Sequence, residues 1–313
     1  MPTDMPMLSV LVPVYFNEQN LPSTLPALQR VLDGLPSGMD GELICVDDGS
    51  GDESWRLLAA ASARDPRIKA IRLSRNFGAY MALLAALDAA KGDCIAIIMA
   101  DLQDPPELLL QMVHAWQQGN RIVIASREQR EDPILQRAFA GFFWKFMRRF
   151  GIPNLPPGGF DCVLFDKIVG DVLRTSREKN SHFMLQIFTT GFPFHEIRYV
   201  RRKREAGRSR WTFARRYKLF VDSAIAFSYV PLRAIGLIGG VTALAGFGFA
   251  VKYVWMKLVQ NAAPEGWTAL MVAVLVLGGI QMIMLWLIGE YIWRTYDETR
   301  RRPPYIVAER VNL

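Results

Sequence analysis

The stretch WTALMVAVLVLGGIQMIMLWLIG, residues 267–289, contains no charged side chain. No other feature restricts the fold of this chain as strongly. A helix needs roughly 20 consecutive apolar residues to cross a bilayer, and this run supplies them. A second run, LRAIGLIGGVTALAGFGFAV at 232–251, carries only Arg233, at its start. Two buried core helices are the alternative, but a core helix rarely avoids charge over such a length. Two transmembrane helices within 232–290 are therefore expected. They explain why apolar residues reach 51% of the chain.

Basic residues gather on one side of these runs. Arg198, Arg201, Arg202, Lys203, Arg204, Arg208, Arg210, Arg215, Arg216 and Lys218 precede the first. Arg294, Arg300, Arg301 and Arg302 follow the second, while the short connection holds Lys257 and Glu265. The positive-inside rule puts both termini in the cytoplasm. Most of the +7 net charge is this juxtamembrane excess, suited to anionic lipid heads or phosphates. No nucleic-acid partner is expected, because the cluster leads straight into a membrane span. The N-terminal MPTDMPMLSVLVPV lacks the basic n-region of a signal peptide, and its apolar run reads as a strand. Cys45, Cys94 and Cys162 have no metal-ligand spacing and read as reduced core thiols.

Residues 1–125 alternate short apolar runs with helical patterns. MLSVLVPV (7–14), ELICVDD (42–48), KAIRL (69–73), CIAIIM (94–99) and RIVIAS (121–126) read as strands. Helical patterns lie through Leu21–Leu32, 53–64, Phe77–Ala90 and Glu107–Gln118. Such alternation predicts an α/β domain with a mostly parallel sheet covered by helices. Ligands of such sheets bind beyond the carboxyl ends of the strands. Those ends are Pro13–Glu18, Asp47–Asp52, Ser74–Gly78 and Asp101–Pro106. No G-x-G-x-x-G follows the first strand and no G-x-x-x-x-G-K-[ST] occurs, which argues against a dehydrogenase or a P-loop ATPase. Further on, a basic helical piece is expected at Phe139–Phe150 and a helix in the membrane interface at 212–231.

Acids after a buried strand are costly unless compensated, and a divalent cation is one compensator. Hard cations take oxygen ligands, and Mg²⁺ commonly combines one or two protein oxygens with substrate phosphates. Asp101 and Gln103, two apart on an extended segment, project to the same side and could share one metal. Pro105 and Pro106 would start the next helix, with Asp104 as its N-cap.

PVYFNEQN (13–20), VDDGSGDES (46–54), LSRNFGAYMALLAALDAAKGD (73–93) and ADLQDPPE (100–107) resemble the ordered motifs of glycosyltransferase family 2. The nearer resemblance is to its polyprenyl-phosphate branch, the dolichyl-phosphate-mannose-synthase-like enzymes and their bacterial undecaprenyl-phosphate relatives. KREAGRSRW (203–211), the two apolar runs and GEYIWRTYDETRRRPPYIV (289–307) agree with that branch. The resemblance implies a cytoplasmic GT-A type nucleotide-sugar domain at 1–200 and a basic juxtamembrane segment at 201–231. Two transmembrane helices at 232–290 and a cytoplasmic tail at 291–313 complete the layout. Amphipathic interface helices would join the domain to the spans.

The implied activity is inverting transfer of a sugar from a nucleotide sugar, by default a UDP-hexose, to a polyprenyl phosphate. The implied location is a bacterial inner membrane, and the implied assembly a homo-oligomer, a tetramer by resemblance. Pro13, Tyr15 and Glu18 would line the nucleobase and ribose pocket, with Asp47 or Asp48 reading the base. Asp101 and Gln103 would hold Mg²⁺ or Mn²⁺ on the donor diphosphate. Arg127 matches an arginine facing the acceptor phosphate, with Arg130 and Arg137 as further candidates. Lys203, Arg204, Arg208 and Arg210 lie where the lipid phosphate would enter. Asp161 matches an acid in a G-D-F-R-L-like pattern, taken in some relatives as the base.

Three departures stand out. Cys162 and Val163 replace the aromatic and the arginine of that last pattern. Phe16 interrupts the usual tyrosine–asparagine–glutamate order. Met99 occupies the first acid position of D-x-D, and a thioether is a poor ligand for Mg²⁺ or Mn²⁺. A processive polysaccharide synthase is disfavoured, since Gly207 stands where a Q-x-x-R-W motif needs glutamine. A membrane scaffold that binds nucleotide sugars without turnover is the competing class.

Overall fold

The computed structural model describes residues 5–128, 134–156, 159–176, 178, 182–200, 213–260 and 266–313. The first half runs β1 (Met7–Val14), α1 (Leu21–Asp33), β2 (Asp40–Asp47), α2 (Ser54–Arg64), β3 (Ile68–Leu73), α3 (Ala79–Ala89), β4 (Cys94–Ile97), α4 (Leu108–Gln117) and β5 (Ile122–Arg127). Then come α5 (Ile134–Phe150), β6 (Cys162–Asp166), α6 (Lys167–Thr175), α7 (Phe183–Thr189), β7 (Phe194–Tyr199) and α8 (Phe213–Phe227). The chain ends with α9 (Val230–Gln260), α10 (Trp267–Thr299) and β8 (Val307–Val311).

Two compact units emerge, one of Met1–Asp222 with Pro303–Leu313 and the other of Ser223–Arg302. The first unit holds an eight-stranded sheet in the order β7-β5-β6-β4-β1-β2-β3-β8. Strands β4, β1, β2 and β3 are parallel, as the β/α alternation predicts. β6 is inserted antiparallel between β4 and β5. It therefore starts at the same sheet end at which its neighbours finish. β1 and β2 are buried on both faces, so they read as continuous apolar runs rather than alternating ones. All three cysteines are buried and unpaired, and burial pushes the Cys45 thiol up to about 12.

At the opposite end of the sheet, Glu42 and Lys69 form a buried ion pair. Ser9 Oγ and the Lys91 N–H complete the Glu42 carboxylate at 2.6 and 2.8 Å. Removing one partner strands a buried charge. Lys69→Met is expected to cost about 3–5 kcal/mol of stability, read as a lowered melting temperature in detergent.

In the second unit, α9 and α10 are long and apolar enough to cross a membrane, over Val230–Phe249 and Val276–Thr299. A Cβ at Gly239 would come within 2.9 Å of the Met284 methyl, the flexible end of a side chain on α10.

Candidate functional site

The carboxyl ends of β1 and β2 are laced together by their loops. The Phe16 N–H donates to Ser50 Oγ and the Asn17 N–H to Ser54 Oγ, both at 2.9 Å. The Glu18 N–H reaches Asp52 at 3.3 Å, and the Glu18 carboxylate accepts from the Glu53 N–H at 3.1 Å. Pro13, Tyr15 and Glu18 thus flank the turn carrying Asp47 and Asp48, as the motif order implies. Glu18 ties its loop to the start of α2.

Asp47 and Asp48 separate in role. Both oxygens of Asp48 are occupied, by the Phe77 N–H at 2.7 Å and the Gly78 N–H at 2.9 Å. It fastens the loop after β3 to the turn after β2. Asp47 Oδ1 accepts from the Ser50 N–H at 3.1 Å, but the buried Oδ2 has no hydrogen bond among the described residues. Its nearest cation is Arg72, with Nε at 3.7 Å. Arg72 is itself held by Glu309 of β8 at 2.8 Å. Burial pushes the Asp47 carboxyl upward, against the Ser50 hydrogen bonds and the Arg72 charge. Burial likewise raises Asp48, against the two N–H bonds from Phe77 and Gly78. Asp47 is fully buried, and its Oδ2 faces Arg72.

Gly49 explains why the turn tolerates no side chain at this point. Its φ is +67°, and a Cβ would fall 2.5 Å from the Arg75 carbonyl carbon. Backbone cannot yield as a flexible side chain can, and positive φ strains any L residue. Gly49→Ala is expected to destabilise by more than about 1 kcal/mol, checked by melting.

The segment after β4 differs from the expectation. The strand ends at Ile97, and Leu102 takes a left-handed φ of +50°. Asp101 and Gln103 are therefore brought together by a turn, not by an extended strand. The Gln103 N–H points at Asp101 Oδ1 at 3.3 Å, an Asx-type closure. Thr24 of α1 holds the preceding Ala100 carbonyl at 2.8 Å. Asp104 is not the N-cap: α4 starts at Leu108 after Glu107. Asp104 is a buried carboxylate that accepts the Tyr199 hydroxyl. Burial, reinforced by this acceptor, holds the Tyr199 phenol far above its ordinary range, so it remains a donor. Nothing local in the sequence announces that pairing; β7 delivers Tyr199 by lying in register with Arg127 of β5.

Arg127 and Asp161 face each other as a forked pair. Arg127 Nε donates to Asp161 Oδ2 at 2.8 Å, and Nη2 donates to Oδ1. Burial, the largest influence, would lower the Arg127 pKa, but the Asp161 bond together with the charges of Asp161, Tyr199 and Asp104 raises it. Asp161 is placed by its own N–H, which donates to the Ala125 carbonyl at 3.0 Å. Gly159, with φ +74°, lies so close under Trp144 of α5 that a Cβ would be 2.5 Å from the indole. Both Asp161 oxygens accept from Arg127, so the pair holds the guanidinium in one orientation. Val163 is fully buried in β6.

Lys203, Arg204, Arg208, Arg210 and Arg130 lie outside the described residues. Arg137 lies in α5, with its side chain outside them too. Among the described residues, no group of three or more His, Cys, Asp or Glu side chains could hold a metal ion. Asp101 and Gln103 are two hard oxygen donors, matching a cation that takes its other ligands from a diphosphate and water.

Residues 9–169 match the profile of Glycosyl transferase family 2. The chain is 36% identical to an uncharacterized glycosyltransferase of Bacillus subtilis, over 96% of this chain and 93% of that one. It is 33% identical to a prophage bactoprenol glucosyl transferase homolog of Escherichia coli, over 96% and 98%. It is 32% identical to an undecaprenyl-phosphate 4-deoxy-4-formamido-L-arabinose transferase of Pseudomonas aeruginosa, over 99% and 91%.

Proposed function

The chain belongs to glycosyltransferase family 2 and is a glycosyltransferase, and we propose that it moves a sugar from a nucleotide sugar to a polyprenyl phosphate, with inversion. The default donor is a UDP-hexose, the acceptor undecaprenyl phosphate, and the place the cytoplasmic face of a bacterial inner membrane. The observation that carries this reading is the convergence at one sheet end. Asp101 and Gln103 follow β4, Arg127 closes β5 and Asp161 opens β6. The two relatives named for bactoprenol and undecaprenyl-phosphate transfer match along nearly the whole chain, apolar helices included.

The acceptor phosphate oxygen attacks the anomeric carbon, and the nucleoside diphosphate leaves with the electrons of the broken C–O bond. A phosphate monoester has a second pKa of about 6, so the nucleophile is already a dianion at neutral pH. No strong base is required, and positioning carries the rate. Arg127, oriented by Asp161, presents a fixed guanidinium to the acceptor phosphate. The turn carrying Asp47 and Asp48 reads the base, with Pro13, Tyr15 and Glu18 around the base and ribose. Asp101 and Gln103 would hold Mg²⁺ or Mn²⁺, which when bound neutralises charge on the diphosphate leaving group.

Support for both termini on one side of the membrane comes from β8. It follows α10 and pairs with β3. The chain therefore leaves and re-enters one folded unit, and a pair of spans returns it to the side it left. A scaffold without turnover rests on Met99 alone once Val163 is a core residue. Thermal shift against uridine, guanosine and thymidine diphosphate sugars, with and without Mn²⁺, tests the donor site. Stabilisation by one nucleotide class, enhanced by Mn²⁺, is expected; no shift with any of them would oppose the reading.

A further inference from the structure

One rung of the sheet crosses three strands with charges of alternating sign. Asp47 of β2 pairs in register with Arg72 of β3, and Arg72 pairs in register with Glu309 of β8. Arg72 Nε lies 3.7 Å from Asp47 Oδ2, and its Nη1 donates to Glu309 Oε1 at 2.8 Å. The guanidinium therefore lies between two acids. Asp47 is fully buried, while the Arg72 and Glu309 side chains are 36% and 50% exposed.

The Glu309 carboxylate is surplus to the docking of its own strand. β8 is held by its ladder on β3, by the Ser74 N–H on the Ile306 carbonyl at 2.9 Å, and by the Asn312 amide, which donates to the Ile68 carbonyl at 3.1 Å. An exposed ion pair adds little to stability. Yet both Glu309 oxygens are engaged. Oε2 accepts from Trp55 Nε1 of α2 at 3.1 Å, and the Arg72 guanidinium lies over the same indole, 5.8 Å from its centroid. Trp55 thus fixes the carboxylate and aims it at Arg72.

Arg72 in turn steadies the nucleotide-side loops from beneath. Asp47 Oδ1 accepts the Ser50 N–H, and Ser50 Oγ accepts the Phe16 N–H, so Asp47 braces the loops after β1 and β2 together. Its Oδ2 has no hydrogen bond among the described residues. A buried carboxylate needs a compensating cation, and Arg72 supplies it only while turned inward. Released from Glu309, a guanidinium this exposed would turn to water.

From this we infer that Glu309, in the strand that follows the last apolar helix, is a positioning residue for the donor site. It holds Arg72 against Asp47 and so keeps both nucleotide-side loops in their binding shape, without touching the nucleotide itself. The inference rests on the proposal that these loops hold the donor nucleotide.

The test is calorimetric titration of the full chain in detergent with uridine, guanosine and thymidine diphosphates, in Mn²⁺, alongside melting curves. Glu309→Ala should bind the preferred diphosphate about five- to tenfold more weakly. It should melt within about 3 °C of the unaltered chain, since the pair it loses is exposed. Arg310→Ala, a change to the next residue of the same strand, should leave affinity within about twofold. Arg72→Lys keeps a charge beside Asp47 but cannot fork between two acids. In that background Glu309→Ala should weaken binding by less than about twofold further, because the contact it acts through is already gone. A merely structural residue would not separate affinity from melting in this way. Unchanged affinity in Glu309→Ala, or losses that multiply in the double variant, would overturn the positioning role while leaving the nucleotide site in place. A fall in melting in step with affinity would overturn it too. Failure of the unaltered chain to bind any of the three diphosphates would overturn the underlying reading, and the inference with it.

Discussion

Asp101→Ala is expected to lower the transfer rate by at least about a hundredfold while leaving the protein folded in the membrane. The segment that carries Asp101 is anchored elsewhere. Thr24 holds the Ala100 carbonyl, and Asp104 is tied to Tyr199. The structural cost of removing one partly exposed carboxylate is therefore small. The functional cost is large because Met99 provides no neighbouring acid to take over the cation. Asp101→Asn keeps one oxygen donor and should need far more Mn²⁺ for half-maximal rate. Met99→Asp restores a second carboxylate and should need less than the unaltered chain. Initial rates over a Mn²⁺ series read all three variants. Full activity in Asp101→Ala would remove the metal assignment.

Arg127→Ala should cost about a thousandfold in kcat, by loss of a preorganised cation at the acceptor phosphate. Arg127→Lys should recover little, since an ammonium cannot make the fork that Asp161 orients. Asp161→Asn should also slow transfer, by loosening Arg127, and its pH profile then decides between two roles. If Asp161 only orients Arg127, the fall in rate on acidification follows the acceptor phosphate, near pH 6, and stays in place in the variant. If Asp161 were the base, the variant would lose that dependence together with its activity. Both Asp161 oxygens are engaged by Arg127, so the first outcome is expected.

Much of this was legible from local pattern. The five parallel-type runs and the helices between them follow from apolar periodicity. The two apolar helices follow from length and absence of charge. What stayed hidden was non-local. β6 is buried on both faces, so it has no alternation, and its antiparallel insertion depends on strands far away in sequence. β8 is an edge strand with mostly exposed residues, Glu309 and Arg310 among them, and reads as a tail until β3 pairs with it. The site divides in the same way. Asp47, Asp48, Asp101, Arg127 and Asp161 could be picked from motifs, but their division of labour could not. Sequence cannot show that Asp48 is consumed by two backbone N–H groups, or that Asp161 is consumed by Arg127. It also suggests the wrong task for Asp104, because Asp before two prolines has the look of a helix start. Tyr199, which claims that carboxylate, comes from a strand that sequence spacing does not place beside it.

The most direct measurement is transfer of radiolabel from nucleotide sugars to undecaprenyl phosphate by the full chain in membranes or detergent. A lipid-linked labelled product, dependent on Mg²⁺ or Mn²⁺ and lost in Asp101→Ala, is the predicted result. Absence of any lipid-linked product with every common nucleotide sugar, from protein that still binds one of them, would contradict it and favour a binding scaffold.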